Sequence, residues 1–113
     1  MTIKDRVESL GGLHDAVILS LVWNAQDRRL EIAVDDINSN TNGLPEYQGP
    51  VSAMLQFSEV SRFEVNANLA EVGFMVYEWT ISRKGPDILA STISLSPGGE
   101  LTIECRSIEI AGA

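Results

Sequence analysis

Gly11-Gly12-Leu13-His14-Asp15, running into Ala16-Val17-Ile18-Leu19-Ser20-Leu21-Val22-Trp23, decides the fold. Paired glycines, the chain's one histidine and its longest apolar run stand side by side here. Upstream, Ile3, Val7 and Leu10 recur at i, i+4 and i+7, which predicts a short amphipathic helix over 2–10. Thr2 with Asp5 three residues on gives the spacing of a capping box. Gly11-Gly12 stops the helix, because glycine readily takes the left-handed conformation of a helix end. One apolar stripe on so short a helix must pack on a sheet or another subunit.

Downstream the pattern is that of strands. The first is expected over 16–23, with Val17, Leu19, Leu21 and Trp23 on one face. Ile18 and Val22 opposite are apolar too, which predicts at least partial cover on both faces. After a turn at 25–28, Leu30, Ile32 and Val34 alternate with Glu31, Ala33 and Asp35, the period of a half-buried strand. Residues 37–50 are rich in Asn, Ser, Gly and Pro and form the longest irregular stretch. Loops of that length are uncommon and are often functional or mobile.

Further strands are expected at 51–57, 62–67, 74–83, 88–95 and 101–110, with turns at 84–87 and 96–99. Met75, Tyr77, Trp79 and Ile81 fall on one face by alternation. Residues 66–72 fit either a turn or one helical turn. In the last strand the apolar phase shifts from Leu101, Ile103 and Cys105 to Ile108 and Ile110, as a β-bulge near Ser107 would produce. The prediction is a mainly β or α+β fold of about seven antiparallel strands. They form a curved sheet, a sandwich or a partly open barrel, with one short N-terminal helix over an edge or open end. No long helix alternates with the strands, so a parallel α/β sheet is excluded.

The 113 residues amount to one domain, 1–113, and 44% apolar content is enough for a core. Eight basic against 16 acidic residues give a net charge of −8. That field disfavours nucleic acid and anionic membrane, whose phosphates require Lys and Arg. It suits a basic partner, and it also serves solubility. The single cysteine, Cys105, can form no intrachain disulfide and reads as a buried structural thiol. A charged start without a signal-peptide core, and no apolar run near the ~20 residues of a membrane span, give the expectation of a soluble, cytoplasmic protein.

Chemistry is sparse. A carboxylate beside an imidazole, as in His14-Asp15, can serve general-base catalysis. Adjacent residues on an extended chain point to opposite faces, however, and no nucleophile signature accompanies them. The pair therefore reads as a turn, and an enzyme would need His14 within reach of a second polar group in a cleft. The loop 35–43 fails as an EF-hand. Counting from Asp36 puts Thr41 where glycine belongs and Tyr47 where glutamate belongs; counting from Asn38 loses the first aspartate. It reads as a polar loop with Asx turns, and neither metal nor cofactor is expected. No CxxC, HExxH, phosphate-binding glycine loop or basic patch occurs.

Leu13-His14-Asp15-Ala16, the strand ending near Trp23, and Leu30-x-Ile32-x-Val34-Asp35 resemble small bacterial β-rich proteins. Some of these are assigned to immunity-protein families of polymorphic toxin systems. Leu44-Pro45-x-Tyr47 and Phe57-x-x-Val60 are weaker echoes, and Ala16 stands where those proteins often have serine. The resemblance spans about residues 10–65 and brings no catalytic residue. It implies a compact β-rich domain that acts by binding another protein.

The leading expectation is a non-enzymatic module for a basic protein partner, immunity-like, with a homodimer compatible. Its candidate binding residues are His14, Asp15, Asp36, Asn38, Asn40, Asn42, Glu46 and Tyr47. A hairpin of the first two strands would set Asp15 beside Asp36 on one rim. The alternative is a small-ligand β-barrel with an apolar pocket lined by Trp23, Tyr77 and Trp79.

Overall fold

The computed structural model describes residues 2–68, 70 and 74–112. The chain opens with helix α1 (Ile3–Ser9), whose capping box is made: Asp5 N donates to the Thr2 hydroxyl, and Thr2 N to the Asp5 carboxylate. That reciprocal bond holds the Asp5 carboxyl below its usual range. Val7 is the buried residue of the helix, with Ile3 and Leu10 packed partly against the core. Gly11 and Gly12, both at positive φ, end the helix in a 3₁₀ turn over Gly11–Leu13. Gly12 lies against the backbone of Trp79, and a Cβ on Gly11 would collide with the Asn40 side chain.

Eight strands follow: β1 (Ile18–Asn24), β2 (Arg29–Val34), β3 (Ala53–Ser58), β4 (Arg62–Asn66), β5 (Met75–Gly85), β6 (Ile88–Ser96), β7 (Glu100–Cys105) and β8 (Ser107–Ala111). They form two antiparallel four-stranded sheets, ordered β1-β2-β3-β8 and β4-β7-β6-β5. Among the described residues the sheets do not close into a barrel. There is one strand more than expected, because the stretch 101–110 is two strands. Leu101, Ile103 and Cys105 bury their side chains from one sheet, and Ile108 and Ile110 from the other. The shift of phase thus marks a change of sheet at Arg106. A strand turning a sandwich corner does this at a bend or bulge. The chain makes the same crossing between β3 and β4, where Glu59 takes positive φ and Val60 is buried. Arg106 N donates to Ser58 O and Ser61 N to Glu104 O, so the two bends pair with each other.

On the opposite side the residues that lead into β1 join the sheets. Asp15 N donates to Val76 O, Val76 N to Ala16 O, and Ile18 N to Phe74 O, all at 2.8–2.9 Å. The core between the sheets includes Leu13, Ala16, Leu30, Ile32, Leu55, Phe57, Ile93, Leu101 and Ile103.

Two expectations about strand faces are corrected. β1 is partly covered on one face only, through Ile18 and Leu21. It is an edge strand paired with β2, and Leu19 (62% exposed) and Val22 (57%) face solvent. On β5, Tyr77 does not share the inward face with Trp79. The register slips between Val76 and Glu78, so Tyr77 is a bulged residue and Val76 takes the inward place. One inserted residue flips every side chain beyond it. Part of the 66–72 segment, whose form the sequence left open, lies outside the described residues.

Candidate functional site

The loop between β2 and β3 is built around one carboxylate. Asp36 is buried, and its Oδ1 accepts from Asn38 N (2.8 Å) and Val51 N (3.1 Å). Its Oδ2 accepts from the Tyr47 hydroxyl at 2.6 Å. A bond from the i+2 amide to an aspartate is an Asx turn, which the local sequence favours. Asn38 then donates its side chain to Gly49 O (3.1 Å), and Ile37 N pairs with Val51 O (2.8 Å). A second 3₁₀ turn, Ser39–Thr41, sits inside the loop, so these residues are fixed by internal bonds without any strand. The Asp36 bond, with burial and the charges of Asp36 and Asp35, pushes the Tyr47 hydroxyl from about 10 up to about 12.

This loop and the helix exit meet. The Ser39 hydroxyl donates to His14 O at 2.8 Å, and Asp35 caps the start of β1 by accepting from Val17 N (2.8 Å). The backbone here is not extended, contrary to the expectation that His14 and Asp15 diverge. Leu13 and Asp15 both take positive φ (57° and 73°), which curls the chain and puts His14 Nε2 3.5 Å from Asp15 Oδ1. An aspartate tolerates that conformation; a leucine does so at some cost, here offset by full burial of Leu13. His14 Nδ1 lies 2.7 Å from Tyr77 O, and the two rings meet edge to face at 5.6 Å. The hydrogen bond and the ring contact orient the half-buried imidazole.

The eight candidate residues therefore divide. Asp36, Asn38 and Tyr47 are internal supports of the loop. Asn40 rests on the Gly11 backbone. His14 and Asp15 lie at the rim, and Asn42 and Glu46 are exposed on the same loop. Tyr77, read from the sequence as a pocket residue, is instead 59% exposed beside His14, and Leu44, not among the candidates, is 50% exposed in the loop. Leu44-Pro45 was visible as an apolar island in a polar loop. Nothing local announces the bulge that turns Tyr77 outward.

The residues of the alternative pocket do not converge. Trp79 is buried and donates its indole N–H to the Ser91 hydroxyl at 2.6 Å, with its ring against Phe57. Tyr77 points out beside His14. Trp23, 39% exposed, leans on Phe63 at 5.6 Å, next to a hollow of about 130 Å³. A groove of about 460 Å³ runs between α1 and β5 and is bordered by Lys4, Glu8, Gly12 and Trp79. Cys105 is buried in the core, which pushes its thiol up to about 11, so it stays protonated and inert. Among the described residues no three His, Cys, Asp or Glu side chains converge, and no helix is long and apolar enough to cross a membrane.

The fold and the rim define a two-sheet β protein with a braced loop at one end. No protein-family model and no curated protein matches the chain. Among solved structures it is similar to an uncharacterized protein from Neisseria gonorrhoeae, at 10% identity and a TM-score of 0.57. The likeness covers 88% of this chain and 93% of that one, and it shows a shared fold.

Proposed function

We propose that the chain is a non-enzymatic binding module for a basic protein partner, docking it through the rim formed by Tyr77, His14, Asp15 and the loop to Glu46. The observation that carries this is the placement of Tyr77. A bulge turns the ring out of the sheet, His14 stacks edge-on against it, and Asp15 lies beside them. A rigid exposed aromatic beside charged groups is the kind of residue that dominates protein interfaces. The bonded loop adds preorganisation, which lowers the entropy lost on binding. A chain of net charge −8 attracts a basic partner and speeds the encounter. Immunity-like neutralisation in the cytoplasm is the finer reading of the same surface.

The test is affinity capture from the native cell, comparing wild type with Tyr77→Ala and Asp15→Lys. Wild type should retain a basic protein in low salt, and both variants should lose it. Purified, that protein should lose its activity when the chain is added. A captured protein that both variants retain equally, or none that is basic, refutes the reading.

A further inference from the structure

A hollow of about 370 Å³ lies between the start of α1 and the far end of β5, with Ile3 and Lys4 on one side and Ile81, Arg83 and Leu89 on the other. The inner face of β5 accounts for it. Trp79 and Ile81 point inward and are buried, and by alternation the next inward position holds Arg83, opposite Leu89 of β6. An arginine keeps its guanidinium toward water, so it cannot fill the space that an apolar side chain would take there. α1 closes this end of the core incompletely, since both Ile3 and Leu89 are only partly buried against it. The floor of the hollow is therefore apolar, made of Ile3, Ile81 and Leu89. The segment that leads into β5 joins the strand at its opposite end.

The charges that border this hollow have one sign, those of Lys4 and Arg83. Arg29, Arg62, Lys84 and Arg106 are each ion-paired with a carboxylate, whereas Lys4 and Arg83 make no ion pair among the described residues. The acids nearest in sequence are engaged elsewhere. The Asp5 carboxylate accepts from Thr2 N, Asp87 faces Arg106, and Glu8 borders the neighbouring groove. The Arg83 guanidinium is held in place, because its Nη1 donates to Pro86 O at 2.8 Å, and its remaining N–H groups stay available to a ligand. In a chain of net −8, two cations on one apolar hollow suit an anion that carries an apolar body.

We infer that this hollow binds a small organic acid, with its carboxylate between Lys4 and Arg83 and its apolar body over Ile3, Ile81 and Leu89. The planar fork of Arg83 matches the two oxygens of a carboxylate, and the ammonium of Lys4 adds a point charge. The volume lies at the low end of the about 300–1,000 Å³ of ligand pockets, which fits a free acid of modest size. This goes beyond the rim proposal and uses a different surface.

Titration of the isotope-labelled chain with sodium octanoate, followed by amide chemical shifts, tests it. Saturable shifts are expected at Ile3, Lys4, residues 81–83 and Leu89. Octanamide has the same body without the charge and should bind about tenfold more weakly, because the charge-assisted bonds are lost. Acetate has the charge without the body and should bind more weakly as well. Arg83→Gln and Lys4→Gln should each weaken octanoate binding about tenfold. Both side chains are exposed, so circular dichroism should show the variants folded. The absence of saturable shifts at these residues up to about 10 mM, where a site of millimolar affinity is nearly filled, overturns the inference. So does octanamide or acetate that binds as well as octanoate, or binding that either variant keeps in full. A short peptide ending in leucine that binds more tightly than octanoate makes the ligand a chain terminus and overturns the choice of a free acid.

Discussion

Replacing Asp36 asks how much one carboxylate does for the loop. Its two oxygens accept three bonds: Asn38 N and Val51 N on one, the Tyr47 hydroxyl on the other. Asp36→Ala strips all three. The Tyr47 side chain is half-exposed and can bond to water instead, so its share is small. The two amides are part-buried, and a hydrogen bond to a charged acceptor is worth about 1.5–3 kcal/mol. Partial access of water to the loop halves that for each bond, which leaves a loss of about 1.5–3 kcal/mol for the two together. Asp36→Asn should cost about 1 kcal/mol, because a carboxamide oxygen can still accept from both amides and its NH₂ can meet the tyrosine oxygen. Urea unfolding gives the global value. Local opening would hide part of it, so hydrogen exchange at Val51 and Asn38 is the sharper readout. Their protection should fall strongly in the alanine variant and only slightly in the asparagine one. Wild-type stability together with wild-type exchange at both amides in Asp36→Ala would refute the role given to this carboxylate.

Tyr47 gives a pH prediction. Its hydroxyl is raised from about 10 to about 12 in the folded chain, so the bond to Asp36 contributes in full below pH 10 and is lost as pH rises from 10 to 12. Ultraviolet titration of the phenolate should show a late component that Tyr47→Phe or Asp36→Asn removes; a titration unchanged by both would contradict the bond. In the core, Trp79→Phe leaves the buried Ser91 hydroxyl without its indole donor and opens a gap, for a loss of about 2–4 kcal/mol by urea unfolding. Adding Ser91→Ala should recover part of that loss, and strict additivity of the two would show that the pair is not coupled.

What was legible in the sequence was local. The capping box of Thr2 and Asp5, the stop at Gly11-Gly12 and the β5–β6 and β6–β7 hairpins rest on contacts a few residues apart. Alternation found the buried sides of β2, β3 and β7 for the same reason. The slips at Leu19 and Tyr77 were not legible, because the residues around them keep an apparent alternation. The bulge at Tyr77 broke an assumed stripe of Met75, Tyr77, Trp79 and Ile81, and with it the idea of one aromatic pocket. The shift at Arg106 was seen, but its meaning, a change of sheet, depends on which strands lie on either side. The loop brace was hidden because Asp36 bonds to partners 11 and 15 residues away. The rim was reached in part because a hairpin of the first two strands returns Asp36 to the place where β1 begins. The place of β1 at the end of its sheet was out of reach: an apolar run on both faces fits a central strand as well as an outer one.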